Sequence, residues 1–174
     1  MLGQTYDVQP LPPDIEHTVY LDAGPLSIGV EYRVVDPEAL SAAYEGDDLA
    51  EIEAHSPEGG FSDEGLSIHV IAVADQHEYL RFDAFDDEPH YHYVDRSLGT
   101  NTVVGFDEAT NGPMLPWVLS RLRHRLDPML RRAGAAHVAD ALPPGCGAVV
   151  AGLVEEYLPA VGVQIPTPGE DAAT

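Results

Sequence analysis

Lysine does not occur in this chain, and cysteine occurs once, as Cys146. A single cysteine excludes an intramolecular disulfide and a cysteine-based zinc site within the chain. Bases are scarce altogether: eight arginines stand against 30 acids, for a formal net charge of −22. A surface this negative repels phosphate backbones and anionic lipid, so neither nucleic acid nor a membrane surface is expected as a partner. No apolar run approaches the ~18 residues of a membrane span. The opening stretch, MLGQTYDVQPLPPD, lacks the basic and apolar regions of a secretory signal, and no repeat at solenoid spacing is found. These absences together predict a cytoplasmic protein.

The 174 residues, 44% hydrophobic and 22% charged, suit one domain with a real core. Carboxylate-rich surfaces stay hydrated in a salt-rich cytoplasm that screens their mutual repulsion. The acid excess is therefore read as halophilic, and as saying nothing about a partner. Stability that rises with KCl is the expected result; a flat curve up to molar salt would count against this origin.

Residues 1–16, with Pro10, Pro12 and Pro13, read as an extended lead-in. A single α+β domain is expected over 17–160, and a flexible acidic tail over 161–174. Apolar alternation predicts strands at His17 to Asp22 and Leu26 to Val35, a hairpin with Ser27, Glu31 and Arg33 on a wet face. Asp36-Pro37 opens a short helix to Tyr44. Gly46 to Gly65 is acidic and glycine-rich and reads mostly as a loop, with at most a weak strand near Leu49 to Ala54. Strands follow at Leu66 to Ala74, Glu78 to Phe85, His90 to Val94 and Thr102 to Phe106. Their short connections mean an antiparallel meander.

After Gly112 the period changes. Leu115, Leu119, Leu122, Leu126, Leu130 and Ala133 form one helical stripe that ends at Gly134, with Pro128 expected to kink or restart the helix. Further helix is expected at Ala135 to Leu142 and Ala148 to Leu158. The architecture expected is two-layer α+β: five to six strands packed on C-terminal helices.

The chemistry concentrates between Leu66 and Asp95, which holds four of the eight histidines. If Asp75 to His77 closes a three-residue hairpin, His69 faces Asp83 and Ile71 faces Arg81. If Asp86 to Pro89 forms a four-residue loop, Asp83 faces His92. A His69–Asp83–His92 row then crosses three strands, with Arg81 and His90 on the same face and Glu88 at its rim. Two imidazoles and a carboxylate on a rigid sheet suit a divalent transition metal such as zinc, iron, manganese or nickel. The same Asp83 can instead orient His92 as a general base. Arg81, with His90 and Glu88, is the candidate for binding a small anionic ligand, in bidentate fashion. The bland alternative is a solvated sheet face or a structural network between strands.

The segment Tyr79 to Tyr93, with Arg-Phe-Asp at 81–83 and Glu-Pro-His-Tyr-His-Tyr at 88–93, resembles an uncharacterised prokaryotic domain-of-unknown-function family. The resemblance covers under a tenth of the chain and implies no reaction. His-x-His on a strand is also similar to cupins. Cupins place a glutamate a few residues on, whereas Tyr93, Val94, Asp95 and Arg96 follow here and the next glutamate is Glu108. Cupin ligands are not carried over.

Elsewhere the signals are bland. Cys146 reads as a buried thiol before it reads as a nucleophile, and the helical arginines as partners of surplus acids. Gly-x-Gly at 145–147 lacks a nucleotide fingerprint. His17, His55, His77, His124 and His137 read as surface or cap residues. Two functions compete: a metal- or small-ligand-binding protein, with or without catalysis, and a non-catalytic accessory subunit or homo-oligomer that docks by the sheet face or the arginine-bearing helix.

Overall fold

Alternation in six stretches, joined by one short N-terminal strand, builds a seven-stranded antiparallel sheet. A computed structural model describes residues 3–55 and 61–165. The sheet contains β1 (Gln4–Tyr6), β2 (Val19–Ala23), β3 (Leu26–Val35), β4 (Asp63–Ala72), β5 (Glu78–Phe85), β6 (His90–Asp95) and β7 (Thr100–Gly105). Strands β2 to β7 form a simple meander, and β1 returns to pair with β7 at the far edge. Seven strands therefore replace the expected five to six. The extra one is three residues long, too short to show a period, and its Thr5 hydroxyl pairs with that of Thr102 at 3.0 Å.

One sheet face carries Leu26, Ile28, Val30, Ile68, Val70, Leu80 and Phe82, all buried. Against it pack α4 (Met114–Arg132), α5 (Ala136–Ala141) and α6 (Cys146–Tyr157), preceded by the single turn α3 (Glu108–Asn111). Every residue of the expected α4 stripe is buried, as burial of one apolar helix face requires. The helix does not restart at Pro128 but runs to Arg132. Helix α6 begins two residues earlier than expected, at Cys146. Gly147 explains the small residues there: a Cβ would stand 2.5 Å from the Leu122 carbonyl oxygen, so the α4–α6 approach needs glycine. No described helix is long and apolar enough to cross a membrane.

The other face lies beneath a strap and two short helices, α1 (Pro37–Ala43) and α2 (Gly46–His55). Helix α1 is capped as its sequence predicts, with Ala39 N–H donating to the Asp36 carboxylate at 2.8 Å. Helix α2 corrects the loop expected from Gly46 onward. Asp47 and Asp48 lie in its first turn, where carboxylates favour the helix dipole, while Leu49 and Ile52 are its spaced apolar residues. The far end of that loop is also strand, since β4 begins at Asp63; residues 56–60, the tail 166–174 and the His55 side chain lie outside the described residues.

The strap is the consequence of topology. Strands β1 and β2 are opposite edges of the sheet, so residues 7–18 must cross one whole face. Six strand spacings span about 29 Å, within reach of a dozen extended residues. Arg33 guanidinium nitrogens donate to the Leu11 and Pro12 carbonyls at 3.4 and 2.9 Å. Asp14 N–H donates to Glu31 at 3.0 Å, and Tyr44 hydroxyl to the Gln9 carbonyl at 2.9 Å. The face expected to be wet is thereby buried: Glu31 and Arg33 are both enclosed.

Candidate functional site

Register places the polar residues differently from the expected row. His69 pairs with Arg81, Ser67 with Asp83, and on the next strand His92 with Arg81 and His90 with Asp83. Each hairpin is offset by two residues. At the first, the chain bulges between Val70 and Ile71, and the turn is closed by Gln76 N–H donating to the Ala72 carbonyl. At the second, Pro89 has no N–H to give, and Asp86 N–H donates instead to Glu64. Asp87 and Glu88 N–H groups donate to the Asp63 carboxylate at 3.2 and 2.7 Å. A two-residue offset keeps each side chain on its face but changes its neighbours. The His69–Asp83–His92 row does not form; two buried networks replace it.

The first network centres on His69, which is fully buried. Its Nδ1 stands 2.6 Å from Glu78 and its Nε2 3.0 Å from Glu31. Carboxylates only accept, so both ring nitrogens carry hydrogen and His69 is an imidazolium. Burial opposes that charge, but the bonds to Glu31 and Glu78 outweigh it and raise the His69 pKa. Burial likewise pushes Glu31 up, and His69 and Arg33 more than reverse this. Arg81 grips Glu78 through Nε at 2.8 Å and Nη2 at 2.6 Å. The bidentate fork expected to meet a ligand is therefore taken by Glu78. Gly29 lies opposite His69, and a Cβ there would come within 3.2 Å of the ring.

The second network is Asp83, His90 and His92. Nε2 of His92 lies 3.0 Å from Asp83 Oδ2, and Nε2 of His90 lies 3.3 Å from the same oxygen. Each ring is fixed from behind: His90 Nδ1 donates to the Glu88 carbonyl at 2.7 Å, and His92 Nδ1 to Asn101 Oδ1 at 2.8 Å. Ser67 hydroxyl donates to the other Asp83 oxygen. Burial disfavours the Asp83 carboxylate, yet the two histidines hold it well below the usual range. Burial lowers the His92 pKa, and Asp83 does not fully compensate. For His90 the bond to Asp83 wins over burial and raises it.

One candidate ligand atom from each of Asp83, His90 and His92 lies within 4.8 Å of the others. Atoms each about 2.1 Å from one ion stand about 3.0 Å apart at right angles and about 3.4 Å apart at the tetrahedral angle. The observed 3.0 and 3.3 Å match that range. This His/Asp cluster can hold a metal ion. His69, engaged on both nitrogens, stands outside it, whereas His90, read first as a ligand-binding residue, stands inside.

Above the cluster is a cavity of about 310 Å³, floored by Arg81, Asp83, His90 and His92 and walled by the strap, α1 and α2. Glu88 is exposed at its mouth. Sequence reasoning missed Glu31, Glu78, Ser67 and Asn101. Glu31 carried a signal, an acid in mid-strand beside Gly29, but its partner is 38 residues away.

The other motifs are structural. Cys146 is buried, and burial pushes its thiol up. Arg123 pairs with Glu155 at 2.7 Å, and Arg131 with Asp127 and Asp140 at 3.1 and 2.7 Å. Arg121 and Arg132 lie over Trp117 and Tyr93. No curated protein and no solved structure matches the chain. Residues 20–151 match the family described as "Domain of unknown function (DUF7700)", and the chain belongs to that family.

Proposed function

We propose that this domain binds a divalent transition metal through Asp83, His90 and His92 and presents it to a small ligand in the overlying cavity. One observation carries the reading. Both Nδ1 atoms donate to carbonyl oxygens, which leaves both Nε2 atoms directed at the same Asp83 oxygen. Two imidazole nitrogens and a carboxylate oxygen facing one another need protons or a metal ion between them. Histidine ligands oriented by a hydrogen bond on the far nitrogen are the usual support of a metal site. Two histidines and one carboxylate leave coordination positions open for water or substrate. Without a metal, His92, oriented by Asp83 and Asn101, is instead the candidate general base.

Titration of metal-free protein with Zn²⁺, Mn²⁺ and Fe²⁺, followed by calorimetry and thermal unfolding, tests this reading. One equivalent is expected to bind at least one of these ions. Free ion at about a thousand times Kd should stabilise the fold by about 4 kcal/mol. Asp83→Asn should abolish both effects, and Asn101→Ala should weaken affinity by about 10–100-fold. Absence of stoichiometric binding by all three ions would defeat the reading.

A further inference from the structure

We infer that the cavity is built for a small apolar carboxylic acid, its carboxylate directed at Arg81 and its body against the strap and α1. The inference deepens the metal-site reading and rests on it for one of two carboxylate contacts. The first observation is an unused donor. Arg81 is 2% exposed, and its Nε and Nη2 are spent on Glu78. Its third nitrogen, Nη1, has no hydrogen-bond partner among the described residues, and Arg81 lines the cavity. Nη1 is not among the fully enclosed unpaired atoms of the described residues, so it opens on the cavity, where an acceptor can reach it. An acceptor oxygen from a bound ligand supplies that partner.

The second observation is charge. Around the floor, Arg33, Arg81 and the His69 imidazolium oppose Glu31, Glu78 and Asp83, three against three. This balance is reached before any metal binds. A divalent ion on Asp83, His90 and His92 leaves two uncompensated positive charges at the largely buried floor, where electrostatic attraction is strong. One carboxylate halves that excess, and Arg81 lines the same cavity as the cluster.

The third observation is the wall. Val8, Leu11, Val35, Leu40, Phe61 and Phe85 face the cavity, so the rest of the ligand is apolar. A volume of about 310 Å³ equals the share of about ten water molecules in the liquid. That accommodates a benzoate- or branched-chain-sized acid.

The test is calorimetry with sodium benzoate on metal-free and metal-loaded protein, with benzamide and benzyl alcohol as uncharged controls. Benzoate is expected to bind metal-loaded protein with Kd below about 1 mM and at least tenfold more tightly than either control. Leu40→Trp, which fills the cavity from the partly exposed α1, should abolish benzoate binding and leave metal affinity unchanged. Arg81→Lys, which keeps the charge but loses Nη1, should weaken benzoate about tenfold or more; if it fails to fold, Leu40→Trp still decides. Normal metal binding with no benzoate binding, or equal binding of benzoate and benzamide, would overturn the inference. Benzoate binding without metal binding would defeat the metal reading and leave the cavity assignment supported by Arg81 alone.

Discussion

His69→Leu is expected to destabilise the protein by about 3–5 kcal/mol, the range for removing one partner from a buried ion pair. The wild-type ring bridges Glu31 and Glu78, both carboxylates, from a fully buried position on the interior strand β4. Leucine has similar bulk, so packing changes little and the loss isolates the electrostatic contact. After the substitution Glu31 retains Arg33 and Thr18, and Glu78 retains Arg81. Each acid still loses a charged donor in a largely buried site, and with Asp83 counted the sheet face goes from three positive charges against three negative to two against three.

The effect depends on pH in a defined direction. The His69 pKa is raised in the folded protein, so its stabilising contribution is complete below the unfolded value of about 6.5. It fades as pH rises through the higher folded value. The Glu31 pKa is lowered, so that contribution is present above about 4.3 and fades as pH falls through the lower folded value. Wild type and His69→Leu should therefore differ most near pH 6 and converge on the alkaline side. Urea unfolding at several pH values measures this. A difference under about 1 kcal/mol near pH 6, unchanged with pH, would mean that His69 is not a buried cation.

Phe82→Ala is expected to cost about 3–5 kcal/mol, the range for emptying a buried phenylalanine site. Phe82 is fully buried at the centre of β5, with Tyr91 and Trp117 against its ring. Phe82→Leu, which keeps more of the volume, should cost no more than about 1.5 kcal/mol. The substitution also reaches the site on the opposite face. Arg81 and Asp83 flank Phe82 in sequence and point the other way, so their positions depend on how firmly this ring anchors the strand. Metal affinity should fall in Phe82→Ala and be nearly retained in Phe82→Leu. Denaturant midpoints read the first effect and metal titration the second. A cost for Phe82→Ala below about 1.5 kcal/mol would show that the sheet–helix core is not centred there.

Much of the frame is legible in the residues. The alternation of Leu26 to Val35 and of Glu78 to Phe85 places the strands to within a residue or two. The leucine stripe of α4 places the helix and its buried face. Asp36-Pro37 marks the start of α1 at the residue where it begins. Helix α2 was hidden because its run of acids and its leading glycine resemble a loop, and its Ile52 faces a cavity instead of the main core. Strand β1 was hidden because three residues cannot display a period.

The candidate site divides along the same physical line. Which face a side chain takes follows from strict alternation along an extended backbone, a local property. Alternation through the two later hairpins thus places His69, Arg81, Asp83, His90 and His92 on one side of the sheet. Which of them meet is a matter of register, and register depends on contacts made far away in the chain. Asp63 holds the 87–88 backbone, Glu64 takes the Asp86 N–H, and a bulge interrupts β4 at Val70. Those contacts separate His69 from Asp83 and bring His90 to it. Burial was decided in the same way. A strap that must run from one sheet edge to the other closes a face that alternation alone reads as wet, because local pattern reports polarity and only topology reports what lies above it.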